Sequence, residues 1–254
     1  MARPRQFAGL AVAAFLVFLV GNAPATLLSS FAPNQLELVG AQGSLWSGQA
    51  QAVRIGDVQT GITRWNLSPW QLLVGRVAGT VDAELPGGFA RGGFAIGFGG
   101  SLGLQDFSLA SPLASLSQAT GMGLPVQDGE VVAELAALDV RDGWPERAVG
   151  QVRVAGIALV FRNGQPVQDQ LASFELTFDE DEVPDSGLIE GTLEDRGGPL
   201  EVVGRLQVTP PGNYEMSGRA APREDAPREM EQALIMLGPP NPDGGRDFSF
   251  AGSL

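Results

Sequence analysis

Residues 76–88 read RVAGTVDAELPGG. Val77, Gly79, Val81, Ala83 and Leu85 alternate with Arg76, Thr80, Asp82 and Glu84. Successive side chains of an extended strand leave opposite faces, so this period of two builds one apolar row and one polar row. A strand of that kind lies half-buried in an antiparallel sheet, one face on a core and the other in water. The Pro-Gly-Gly that follows ends the strand and supplies a turn.

The same signature recurs outward from this stretch. QVRVAGIALVF (151–161), LASFELTF (171–178), LIEGTL (188–193), LEVVGRLQV (200–208) and DFSFAGSL (247–254) read as strands. NG at 163–164, RGG at 196–198 and PPGN at 210–213 separate them as hairpin or loop signals. The whole chain yields roughly ten to twelve strands by this procedure. GFAIGFGGSLG (93–103) reads as a glycine-rich strand and turn, because a phosphate loop would carry a Lys and open a helix. Pattern is lost in GMGLPVQDG at 121–129, a soft boundary, yet the two halves are expected to share one continuous sheet.

Three short helices interrupt the strands. SPWQLLVG (68–75) offers Ser68 as N-cap, Pro69 at the first helical position and Gly75 as a stop. SPLASLSQATG (111–121) repeats the Ser-Pro start and the Gly end. APREMEQALIMLG (226–238) places Met230, Ala233, Leu234 and Leu237 on one face before Gly238 and Pro239 end it.

The N-terminus has a different character. Arg3 and Arg5 are followed by no charge until Glu37, and residues 7–20 are strongly apolar. Continued to residue 28, the segment reaches the roughly 20 residues that a bilayer crossing needs. The leading arginines predict a cytoplasmic start at 1–6, a transmembrane segment at 7–28 and a domain outside the cytoplasm from 35 to 254. Two readings remain. One is an uncleaved signal anchor. The other is a signal peptide cleaved at Ala23-Pro24-Ala25, which has the small-x-small form. Apolar character resumes at Leu27, Leu28 and Phe31, which favours the anchor.

Composition removes most chemistry. The chain holds no Cys and no His, which excludes thiol and imidazole nucleophiles, disulfides and Cys/His zinc sites. Its net charge of −13 repels phosphate backbones, so no nucleic-acid partner is expected. The carboxylate pairs Asp139 with Asp142 and Glu180 with Glu182 are the remaining candidates for hydrolysis. Each lies in a surface-like charged run, with no sign of a shared cleft. FDEDEV (178–183) lacks the spacing and glycine of a calcium loop and reads as a solvated loop. No catalytic residue, cofactor or metal site is expected.

The tryptophans carry more information. Trp46 lies in GSLWSG (43–48), and Trp65 and Trp70 lie in RWNLSPWQLLVGR (64–76). Aromatic side chains dominate core energetics. Trp70, Leu72 and Leu73 are therefore expected to cover the end of the sheet. Trp46 is expected to pack structurally in a first hairpin, with QLELVG going out and QAQAVRIG returning. Leu45 and Trp46 would face opposite sides of a regular strand. A membrane-interface anchor is the second reading for Trp46.

These residues carry a resemblance. The chain resembles the protein N family of the bacterial type II secretion system, also called the general secretion pathway. The resemblance rests on an ordered set. Pro24-Ala25 stands near the outer end of the apolar segment. Gly43, Leu45, Trp46 and Gly48 form Gly-x-Leu-Trp-x-Gly. Trp65, Leu67, Pro69, Leu72, Leu73 and Gly75 form Trp-x-Leu-x-Pro-x-x-Leu-Leu-x-Gly. Gly197, Gly198, Pro199 and Leu200 lead to Gly218, Arg219 and Ala220. A last helix ends at Leu237 and Gly238, and Phe248, Phe250 and Gly252 mark the closing strand.

The resemblance implies a mainly β protein, with an N-terminal transmembrane helix and a large curved antiparallel sheet, an open gutter or partial barrel. It implies a non-catalytic inner-membrane and periplasmic component that assists export of folded proteins across the outer membrane of a Gram-negative cell. Its partners would be the other secretion components and the inner membrane. A more distant similarity to AsmA-like proteins implies a gutter with an apolar inner face, and with it an alternative role in handling lipid or another hydrophobic ligand.

Overall fold

The computed structural model describes residues 23–27, 36–55, 58–120, 128–160, 166–179, 187–210, 212–224, 226–227 and 234–253. Alternation produces the expected class: the fold is mainly β and antiparallel. Among the described residues, thirteen strands form one sheet, and three more form a small second sheet.

The small sheet contains β1 (Leu36–Val39), β4 (Ala52–Ile55) and β5 (Val58–Gln59), in the order β1-β4-β5. The large sheet begins with β2 (Gln42–Gly43), β3 (Ser47–Ala50) and β6 (Thr63–Leu67). It continues through β7 (Arg76–Leu85), β8 (Gly88–Gly97), β9 (Ser101–Pro112), β10 (Glu130–Arg141), β11 (Trp144–Val160) and β12 (Pro166–Asp179). It ends with β13 (Ile189–Asp195), β14 (Leu200–Thr209), β15 (Asn213–Pro222) and β16 (Arg246–Ser253). From β6 to β16 each strand pairs with the next in sequence, so the sheet is a long meander. Its edges β2 and β16 do not pair with each other, and the sheet stays open.

β9 and β10 pair from Pro112 and Glu130 to Ser101 and Arg141. The sheet therefore runs straight across the soft boundary near 121–128. The first hairpin divides in two. β1 does pair with β4, as the out-and-back reading requires. The Gly43–Gly48 segment instead makes its own tight hairpin, β2 with β3, and joins the large sheet through β3 and β6.

The apolar rows gather into three clusters. Ala25, Ala50, Val53, Trp65 and Leu67 are the buried members of the first, with Leu38, Trp46, Val77 and Phe94 packed against them. Here the small sheet and residues 23–27 cover the apolar face of β6 to β8. Ala148, Ile189 and Val208 centre the second cluster. Val202, Ala220 and Leu234 centre the third.

Two of the three expected helices are present. Pro69–Val74 is a short 3-10 helix, and Leu113–Thr120 is an α-helix, α1. Ser68 occupies the N-cap in extended conformation, without a side-chain cap bond. Gly75 closes the turn in the left-handed region at φ 76°, which glycine adopts at no steric cost. The third helix lies largely outside the described residues, apart from a single turn at Ile235–Leu237.

The expected transmembrane segment at 7–28 lies mostly outside the described residues. No helix among the described residues is long and apolar enough to cross a membrane. Residues 7–22 and 28 lie outside the described set. Residues 23–27, however, belong to the β domain. Pro24 bridges to Ser44, the Ala23 carbonyl accepts the Leu45 N–H at 2.7 Å, and Ala25 is buried in the first cluster. Small side chains fit that packed position. Residues 23–27 are thus held on the β domain.

Candidate functional site

The sequence motifs at the N-terminal end converge on one indole. Gly43 takes φ 91°, and the Ser44 N–H donates to the Ser47 carbonyl at 2.9 Å, closing the β2–β3 hairpin. Leu45 and Trp46 therefore lie in a turn, not on opposite faces of a regular strand. Gly48 pairs with Trp65 across β3 and β6. A Cβ at Gly48 would stand 2.7 Å from the Trp65 ring carbon Cζ2, so the bare glycine lets the ring lie against the strand. The Trp65 Nε1–H donates to the Leu45 carbonyl at 3.1 Å. The Leu67 N–H donates to the Trp46 carbonyl at 2.6 Å. Gly43, Leu45, Trp46 and Gly48 thus form a receptor for Trp65.

Burial divides the tryptophans differently from expectation. Trp65 is 9% exposed and Trp46 is half-buried at the margin of the same cluster. Trp70 does not cover the sheet end at all: it is 76% exposed, with Leu73 at 79% and Leu72 partly exposed. The helix that carries them is too short to present a second face. It begins at Pro69 and packs mainly on β7.

The late motif positions also make close contacts. Gly218 in β15 would place a Cβ 2.7 Å from the Phe248 ring of β16. Arg219 pairs with Asp243 at 2.7 Å. Gly238 follows the Ile235–Leu237 turn, and its carbonyl accepts from the Arg246 guanidinium. The motif residues do not meet in one cleft. They make separate close contacts along the sheet.

The polar rows, by contrast, line up across strands. Arg64 pairs with Asp82 and Asp82 with Arg91 in register, while Glu134 accepts from Gln151 at 2.9 Å. Over β6 to β10 this face carries an open depression of about 850 Å³, whose lining includes Arg64, Asn66, Arg76, Asp82, Arg91 and Asp139. Trp65, Val81 and Phe94 also contribute to its lining, so the depression is mixed and not the wholly apolar inner face that the AsmA-like similarity implies.

Further along the polar face, Glu175 of β12 is only 3% exposed. Its carboxylate accepts from Arg153 Nε at 2.9 Å and from Arg196 Nε at 2.9 Å, each guanidinium adding a second bond. The Arg196 hydrogen bond, followed by that of Arg153, holds its pKa below the usual carboxylate range against the opposing pull of burial. Glu194 extends the network by pairing with Arg196 at 3.5 Å, while Asp195 next to it accepts the Val202 N–H at 2.9 Å and pairs with Arg223. Sequence reading passed over these residues. Arg153 and Glu175 each look like ordinary wet-face charges until cross-strand register brings them together.

Of the candidate carboxylate pairs, Asp139 lines the open depression and Asp142 does not. Asp139 pairs with Arg147 at 3.8 Å, and Asp142 sits in the β10–β11 turn at φ 53°. Glu180 and Glu182 lie outside the described residues. Among the described residues no group of three Asp or Glu side chains could hold a metal.

An open antiparallel meander, stapled by ring-on-glycine contacts and an ionic network, defines a β-sheet scaffold class. The type II secretion system protein N family model matches residues 34–249, and the chain belongs to that family. It is 26% identical over 255 residues to type II secretion system protein N of Aeromonas hydrophila, covering 97% of each chain. The corresponding protein of Pectobacterium carotovorum is 25% identical over 255 residues, with 96% of this chain and 94% of the relative covered. That of Vibrio cholerae serotype O1 is 26% identical over 233 residues, covering 86% and 84%. No solved structure matches the chain.

Proposed function

We propose that this protein is a non-catalytic component of the type II secretion machinery, anchored in the inner membrane by its N-terminal apolar segment with the β domain in the periplasm. One observation carries the reading: the family match over residues 34–249. The two leading arginines support the orientation. The sheet is suited to contact work, because it offers a broad wet face with charges fixed in register and two open edges that can pair with another strand. The alternative of lipid handling finds little support in a depression lined by Arg64, Asp82 and Arg91. The test is deletion of the gene under secreting conditions. Loss of at least one exoprotein from the medium, with co-purification of other inner-membrane secretion components, supports the reading. Normal secretion and no co-purification overturn it.

A further inference from the structure

We infer that the Pro69–Val74 helix and the β8–β9 turn form a rim that enters the lipid interface beside the point where the N-terminal segment joins the domain. The inference rests on the anchoring just proposed and adds which part of the domain touches the bilayer. Trp70, Leu73 and Val74 of the helix are 76%, 79% and 68% exposed, and Phe98 of the turn is 72% exposed. They form one patch. The Phe98 N–H donates to the Gly75 carbonyl at 3.0 Å, and Gly75 stands beside the Phe98 ring.

Position identifies the occupant. Leu67 leads directly into this helix, and its N–H is held by the Trp46 carbonyl in the β2–β3 turn. The neighbouring Leu45 N–H is held by the Ala23 carbonyl. The patch and the first described residues after the apolar segment therefore share one end of the sheet. Ala23 is fixed on that hairpin, so an anchor formed by the residues before it brings this end of the sheet to the bilayer.

Charge supports the same occupant. The chain has 29 acidic residues, yet 65–81 and 92–105 contain none, and Arg76 is their only charge. Tryptophan, leucine and phenylalanine suit the headgroup and upper acyl region. The Asp142 carboxylate of the β10–β11 turn stands beside Gly100, and Asp139 and Glu146 share a depression with Arg76, Gly97 and Ser101, so carboxylates bound the patch on its β10 side and the contact is confined to Trp70, Leu73, Val74 and Phe98.

The chain contains no native cysteine, so single-cysteine labels report unambiguously. The full chain would be reconstituted into phosphatidylethanolamine-rich vesicles containing a minority of phosphatidylglycerol. An environment-sensitive fluorophore would be placed at Leu73→Cys, at Phe98→Cys and, as control, at Met236→Cys, which is exposed near the opposite end. Expected is a blue-shifted label at Leu73 and Phe98, quenched by lipids spin-labelled about 5–10 Å below the surface, with Met236 unquenched. Labels at Leu73 and Phe98 as wet as Met236 overturn the inference. So does protection without lipid quenching, which would mean that another protein segment covers the patch. Vesicle flotation of the unlabelled chain separates the two readings: no flotation sinks the anchor itself, whereas flotation without quenching sinks only the rim.

Discussion

The Trp65 ring lies flat enough on Gly48 that a Cβ there would come within 2.7 Å of it. The same added carbon would meet the Gln42 carbonyl oxygen at 2.7 Å and the Ser44 carbonyl oxygen at 2.9 Å. Two of these three neighbours are backbone, so the site cannot relax by a rotamer change. Gly48→Ala is expected to lower stability by about 1–3 kcal/mol through overpacking. Urea unfolding of the variant beside the parent measures it, and an unchanged midpoint would refute the contact.

Trp65 and Trp46 should separate sharply on truncation. Trp65 is buried, and its Nε1–H is satisfied by Leu45. Trp65→Ala removes that ring from a packed cluster and is expected to cost about 3–5 kcal/mol. Trp46 is half-buried at the margin, and Trp46→Ala should cost clearly less. Equal losses in denaturant titration would show that both rings carry the core.

The division between legible and illegible residues has a physical origin. β7 coincides with the stretch 76–85 because alternation reports a half-buried strand directly. β10, EVVAELAALDVR, gave no comparable signal: its Ala and Leu suit a helix, and the sheet on both sides imposes the strand. The family motif located the Trp65 receptor, but not which tryptophan it receives. That depends on β3 pairing with β6, a contact across a loop. Aromatic rings are usually buried, which predicts a covered Trp70, yet a 3-10 helix of two turns gives it nothing to pack on. The Glu175 network escaped notice for want of register, which no single strand contains.

Glu175 predicts a particular acid response. Its folded pKa lies below the unfolded value of about 4.5, held down first by Arg196 and then by Arg153. Above that unfolded value both states are ionised and the ion pairs contribute fully. As pH falls below it the unfolded chain takes up the proton first, and the contribution is lost through the lowered folded pKa. Stability should therefore fall below about pH 4.5. Glu175→Gln should flatten part of that fall and cost about 1–3 kcal/mol at neutral pH, the half-exposed arginines moderating the loss. Denaturation of both proteins across pH 3–7 tests this; parallel curves would show that the carboxylate is not held by its arginines.

Ala25 gives a prediction about processing. It is 2% exposed among Ala50, Val53, Trp65 and Leu67. The peptide just before it is tied to the hairpin through Pro24 and Ser44. Cleavage at Ala23-Pro24-Ala25 would strip this strap from the first cluster. Ala25→Leu should instead crowd it, lowering stability by about 1–3 kcal/mol. The uncleaved reading predicts that the mature protein retains residues 1–25, read by intact mass of the chain recovered from membranes. A mass matching a chain that starts at Thr26 would mean that the strap is dispensable, and the penalty at Ala25→Leu should then vanish from the mature form.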